Sequence, residues 1–161
     1  MRGGAGICHR RPQKGLTTVR ASSSGAADAV STTRSLGRSR LTTSTVGIGT
    51  LQWGDERSGF NKSYRAKDLE LAFKASVEGG VRFFDTAEVY GYSQHKTLQS
   101  SEILLGDFGR ESPEPVTIGS KCFTIPWTNL LVGGSPRLGS KSLVEALKAS
   151  VERVGRPLDL W

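Results

Sequence analysis

Three side chains stand out for the chemistry they could do together. In RFFDTAEVYG, residues 82–91, a carboxylate (Asp85) directly follows two phenylalanines, and a phenol (Tyr90) stands five positions later. In VTIGSK, residues 116–121, an amine (Lys121) closes an apolar run. A free phenol titrates near about 10, too high to release a proton readily at neutral pH. A neighbouring ammonium favours the phenolate and lowers that value. A carboxylate paired with the ammonium can hold it toward the phenol. Such a trio is a tuned proton donor for an oxygen that becomes an alkoxide, which is what a carbonyl reduced by hydride requires. A structural ion pair beside a loop tyrosine uses the same residues, and spacing alone leaves both readings open.

The elements around these residues decide whether they meet. STVGIGTL, residues 44–51, reads as a buried strand, with a short hairpin lid, LGRSRLTT, before it. In AKDLELAFKASVEGG the period changes. Leu69, Ala72, Phe73 and Val77 share a helical face, Asp68 sits in the first turn, and Gly79 and Gly80 supply the stop. A strand is expected at 81–84, a weaker helix at about 99–108 and a strand at 116–121. The next helix carries a capping box, Ser142 with Glu145, then a stripe of Leu143, Ala146, Leu147, Val151 and Val154, closed by Gly155 and Pro157. LDLW, residues 158–161, begins a fourth strand. Strictly alternating β and α units imply a parallel sheet with right-handed crossovers, either open and doubly wound or part of a (β/α)8 barrel. VGIGTLQ has Gln52 where a dinucleotide fingerprint needs its third glycine. In a barrel, residues at the C-terminal ends of the strands share one mouth. That mouth would hold Asp85, Tyr90 and Lys121 with Gly49 and Thr50. Trp53 would wall a pocket or cap the barrel, and Tyr92 and His95 would lie on the surface or rim.

Charge excludes one class of partner. The net charge of +7 lies wholly in residues 1–44, which hold eight Lys or Arg and one acid; residues 45–161 hold fourteen of each sign. A neutral body has little with which to steer a phosphate backbone, so no nucleic-acid partner is expected. No run of 18 apolar residues exists, so no membrane span is expected. Residues 1–35, rich in Arg, Ser, Thr and Ala and poor in acids, read as a disordered organelle transit peptide, for the chloroplast stroma with the mitochondrion as alternative. The folded part is then 36–161. Cys8 and Cys122 form no disulfide framework, and Cys122 reads as a small buried residue. His9 and His95 lack metal-ligand spacing, so no metal is expected.

VGIGTLQWG, FFDTAEVYG, SEILLG and IGSKC, in this order, resemble the aldo-keto reductases, D-T-A-x-x-Y-G being the specific part. The resemblance covers about residues 36–161. It implies an α/β fold, a partial (β/α)8 barrel of three β/α units plus the start of a fourth strand. It also implies NADPH (NADP+ when oxidised) as cofactor and a small aldehyde or ketone as substrate. Asp85, Tyr90 and Lys121 would be catalytic, with Tyr90 as proton donor, and Gly49, Thr50, Leu51 and Asp85 would lie against the nicotinamide. LGRSRLTTST would be the family's N-terminal hairpin. The family's catalytic His follows an LDLYxxH strand; here the corresponding aromatic is Trp161 and no such His follows. The late loops that hold the cofactor's adenosine phosphate have no counterpart either. The 161 residues alone are therefore expected to be marginally stable and to turn over little, with an open sheet edge that a partner could cover. A non-catalytic nucleotide-sensing or interaction subunit on the same fold is the alternative.

Overall fold

The computed structural model describes residues 33–124 and 139–161. Residues 1–32, with Cys8 and His9, and residues 125–138 lie outside the described residues, so most of the expected transit peptide does too. Two strands, β1 (Thr33–Ser35) and β2 (Thr42–Ser44), pair antiparallel with Thr33 opposite Ser44. The hairpin thus takes in residues 33–35, which composition alone groups with the leader. Gly37, at φ +57, makes the turn that residues with a Cβ adopt at a cost.

Three strands form the parallel sheet: β3 (Gly47–Gly49), β4 (Phe83–Asp85) and β5 (Thr117–Gly119), in that spatial order. Their register aligns Gly47, Phe83 and Thr117; Ile48, Phe84 and Ile118; and Gly49, Asp85 and Gly119. Successive side chains alternate faces. Phe84 and Ile118 are fully buried on one face against the helices, while Asp85 points to the other between two glycines. A Cβ on Gly47 would lie 2.5 Å from the Phe83 ring, and one on Gly119 would lie 3.4 Å from it. The ring therefore reaches over both neighbouring strands, and its close approach explains glycine at position 47.

The helices are α1 (Ala66–Glu78), α2 (Ser101–Glu111) and α3 (Ser140–Val154). In α1 the expected face is buried through Leu69, Phe73 and Val77, whereas Ala72 is exposed. Asp68 accepts from the Arg65 backbone N–H at 2.8 Å, and the left-handed stop is Gly80, at φ +91, rather than Gly79. Phe73 packs on Phe84 with ring centroids 4.8 Å apart and on Phe108 at 5.9 Å. Such aromatic pairs add about 0.5–1.5 kcal/mol each beyond area burial. Trp53 is buried with its ring 5.7 Å from Phe108, so it packs the core.

Two expectations for the last helix fail. α3 begins two residues before Ser142, whose hydroxyl donates to the Gly139 carbonyl at 3.0 Å, so Ser142 and Glu145 form no N-terminal capping box. Its buried line is Ala146, Ser150 and Val154, with Leu143, Leu147 and Val151 only half-buried beside it. The turn that ends the helix uses Gly155 at φ +72, as expected. Beyond it, LDLW contributes a single bridge, Leu160 opposite Gly119, rather than a full strand. Asp159 adds a side-chain tie to β5: its carboxylate accepts from the Ile118 backbone N–H and from Arg156, both at 2.8 Å.

The sheet order follows chain order, and α1, α2 and α3 pack in sequence against one another on one face. A doubly wound sheet reverses its strand order and carries helices on both faces. The singly wound arrangement is that of a β/α barrel segment.

Candidate active site

The C-terminal ends of β3, β4 and β5 are tied together before any site residue is placed. Thr50 is fully buried and its N–H donates to the Asp85 carbonyl at 2.9 Å. Its hydroxyl also reaches that carbonyl, at 3.0 Å, and lies 2.6 Å from the Ser101 hydroxyl. Ser101 in turn sits 2.9 Å from the Thr86 hydroxyl and donates to the Thr50 carbonyl at 3.1 Å. Three buried hydroxyls thus bind the first turn of α2 to the ends of two strands. Beyond β4 and β5 the backbones stay paired: Thr86 N–H donates to Gly119 at 2.8 Å and Glu88 N–H to Lys121 at 3.1 Å.

On this base Asp85 and Lys121 meet. The Lys121 ammonium donates to both Asp85 carboxylate oxygens, at 2.9 and 2.8 Å, and to the Thr86 carbonyl at 2.6 Å. An ammonium has three donors, and all three have partners here. The two side chains keep 43% and 46% of their surface exposed, so the pair adds at most about 1 kcal/mol to stability. Its consequence is positional. The ammonium sits over the Tyr90 ring, 5.0 Å from its centroid.

Tyr90 is held by its backbone. Its N–H donates to Ala87 at 3.0 Å, and its carbonyl accepts the Ser101 N–H at 3.1 Å, satisfying one of the free donors at the start of α2. Gly91 follows at φ +64, and a Cβ there would come within 2.6 Å of the Trp53 carbonyl, so the chain turns where only glycine fits. The carboxylate, phenol and amine singled out by sequence therefore come together at one rim. Gly49 is also at this rim, with open space above its Cα; Leu51 is 61% exposed beside it. Thr50 offers position rather than contact, because no part of it reaches the surface.

A cleft of about 430 Å³ opens beside Tyr90, within the range of small-molecule sites. Leu51, Val89 and Tyr92 are among its apolar walls, and Asp55 and Arg57 also line it. Arg57 lies in a single 3-10 turn, Glu56–Ser58, in the loop after β3, and Asp55 immediately precedes it. The sequence reading overlooked them, although their place in a strand-end loop was a usable signal. Asp55 caps that turn by accepting from Ser58 Oγ at 2.7 Å and from the Arg57 N–H at 3.1 Å; these bonds hold its carboxyl below the usual range.

Behind the rim lies a buried ionic cluster that periodicity did not reveal. Glu102, 1% exposed, accepts from Ser120 Oγ and from Arg153 Nε, each at 2.5 Å. His95 is not a free rim residue. Its ring stacks at 4.6 Å on Tyr92, and its Nε2 is buried with no hydrogen-bond partner. Burial first, and then the Arg153 charge, push its pKa below 6.5. Cys122 is half-buried rather than fully enclosed. Among the described residues no group of His, Cys, Asp and Glu is placed to hold a metal ion, and no helix is long and apolar enough to cross a membrane.

Known proteins agree with this architecture. The aldo/keto reductase family profile matches residues 45–161. A chloroplastic pyridoxal reductase of Arabidopsis thaliana is 32% identical over 120 residues, covering 71% of this chain and 30% of that protein. A pyridoxal 4-dehydrogenase of Microbacterium luteolum is 36% identical over 88 residues, covering 55% of this chain and 23% of that protein. The chain thus spans less than a third of these relatives. The holo form of an aldo-keto reductase from Bacillus halodurans superposes with a TM-score of 0.53 over 77% of this chain and 36% of that one; at 20% identity this likeness shows the fold. A match over most of the chain, on a singly wound β/α segment, places this protein in the aldo/keto reductase family of oxidoreductases.

Proposed function

We propose that the protein carrying this sequence reduces the carbonyl of a small aldehyde or ketone with NADPH, and that Tyr90 donates the proton. The observation that carries this reading is the Lys121 ammonium, fixed by Asp85 and Thr86 at 5.0 Å from the Tyr90 ring. Gly49, with nothing within 4 Å of where a Cβ would stand, and the exposed Leu51 would be the residues to hold the nicotinamide. NADPH bound there would supply hydride to the carbonyl carbon. The chain's own residues do the rest. Tyr90 gives its hydroxyl proton to the carbonyl oxygen as negative charge develops there. Lys121 stabilises the phenolate left behind, and Asp85 keeps Lys121 from swinging into water. Solvent reaching the half-exposed pair returns the proton.

The names of two relatives favour an aromatic aldehyde of the pyridoxal type as substrate, which the apolar walls Leu51, Val89 and Tyr92 suit. The leader's composition and the chloroplastic relative favour the plastid. Among the described residues the parallel sheet has three strands, fewer than a closed barrel needs, so the 161 residues by themselves are predicted to turn over slowly. The test is NADPH oxidation with an aromatic aldehyde by the protein that carries this sequence. Tyr90→Phe should lower kcat by about 10²–10⁴-fold. A variant within threefold of the wild type would refute the assignment.

A further inference from the structure

We propose that Arg57 forms an anion subsite in the Tyr90 cleft, selecting carbonyl substrates that carry a carboxylate or phosphate on an aromatic body. This deepens the reductase reading and rests on it for the identity of the ligand. Arg57 lines the same cleft as Tyr90 and Tyr92. Arg57 is exposed, and its guanidinium makes no hydrogen bond or ion pair among the described residues, so its donors are open to a ligand in the cleft. Such a fork matches carboxylate and phosphate geometry in two parallel bonds.

The turn that carries Arg57 is fixed at both ends. Asp55 caps it, and Glu56 accepts from Nε2 of the buried Gln94 at 2.6 Å. Gln94 belongs to the 3-10 segment Tyr92–Thr97, so the bond ties the Arg57 turn to the loop that carries the tyrosines. The backbone of the Arg57 turn is thereby tied to the loop that follows Tyr90. Leu51, Val89 and Tyr92 line the same cleft and offer apolar surface for a ring. The cleft's volume of about 430 Å³ has room for a substituted aromatic aldehyde.

Asp55 opposes this preference. Ionised at neutral pH, it cancels part of the Arg57 field, while its oxygens are engaged by Ser58 and the Arg57 backbone. Two substitutions should therefore act in opposite directions. Arg57→Ala removes the fork, and Asp55→Asn keeps an effective cap while removing the competing charge.

Calorimetric titration of the protein that carries this sequence tests this without turnover. The probes are 4-(hydroxymethyl)benzoate and benzyl alcohol, alcohols that cannot form imines with lysine. The wild type should bind the benzoate about tenfold tighter than the neutral alcohol, with the preference shrinking as salt is raised. Arg57→Ala should abolish that preference, weakening benzoate binding far more than benzyl alcohol binding. Arg57→Lys should retain part of it, and Asp55→Asn should widen it several-fold. Equal wild-type affinities, or a preference that survives Arg57→Ala, overturn the proposal. A parallel titration with NADP+ separates the two sources of an anion: loss of NADP+ affinity in Arg57→Ala with the benzoate preference intact assigns Arg57 to the cofactor and also overturns it. Failure of the reductase reading would show instead as absent turnover with the benzoate preference unchanged.

Discussion

Ser101→Ala tests how the mouth is held together. Ser101 is fully buried, and its hydroxyl stands between those of Thr50, at 2.6 Å, and Thr86, at 2.9 Å. Removing it affects the two partners unequally. Thr50 Oγ1 keeps the Asp85 carbonyl at 3.0 Å, and the Thr50 carbonyl keeps the Trp53 N–H at 2.9 Å. Thr86 Oγ1, also fully buried, loses its Ser101 partner. One buried hydroxyl left unsatisfied costs about 1–3 kcal/mol, plus roughly 0.5–1.5 kcal/mol for a net hydrogen bond lost on the Thr50 side. A total near 2–3 kcal/mol, with a urea slope of about 2 kcal/mol/M, should lower the unfolding midpoint by roughly 1–1.5 M. Thr86→Val should rescue part of this, because it removes the hydroxyl that the first change orphans. Urea titrations of the two single variants and the double variant give the coupling, expected to be roughly 1 kcal/mol or more. Strict additivity, or a Ser101→Ala loss below about 0.5 kcal/mol, would refute the reasoning.

Other outcomes follow from the same contacts. Arg153→Met leaves the Glu102 carboxylate buried with Ser120 as its remaining described partner, and should destabilise the chain by about 3–5 kcal/mol, read as a lower thermal midpoint. His95 has its folded pKa pushed below 6.5, so the unfolded chain binds the extra proton first; stability should fall as pH drops below about 6.5, and His95→Gln should flatten that part of a Tm–pH curve. Gly106→Ala would drive a Cβ into the Val154 backbone at the end of α3 and should cost more than the modest gain expected from a helical alanine, again read in urea. Lys121→Met should leave the urea midpoint within about 1 kcal/mol of wild type, since the pair is half-exposed, yet lower kcat far more than it raises KM.

Local patterns made part of this legible. Helix α1 announces itself by Leu69, Phe73 and Val77, and β4 by the phenylalanines before Asp85, because period and burial are properties of neighbouring residues. The meeting of Asp85 with Lys121 was also readable, since parallel strands place their C-terminal ends at one mouth. The Ser101–Thr50–Thr86 network and the Glu102–Arg153 pair were not. Each joins residues up to 51 positions apart, and a polar residue fated for burial looks like any surface residue until its partner is known. The start of α3 was misplaced because Ser142 satisfies its own helix backbone from inside the first turn. Arg57 escaped notice because a solvated charge run is the ordinary meaning of DER in a loop.

The central claim is that Tyr90 protonates the nascent alcohol under the influence of a Lys121 fixed by Asp85. The most direct measurement is single-turnover NADPH oxidation by the protein that carries this sequence, comparing wild type, Tyr90→Phe and Asp85→Asn at equal NADPH saturation. The account predicts that Tyr90→Phe loses at least about a hundredfold in the hydride-transfer step with NADPH affinity retained, and that Asp85→Asn loses rate in the same step. Hydride transfer at wild-type rates in Tyr90→Phe would contradict it.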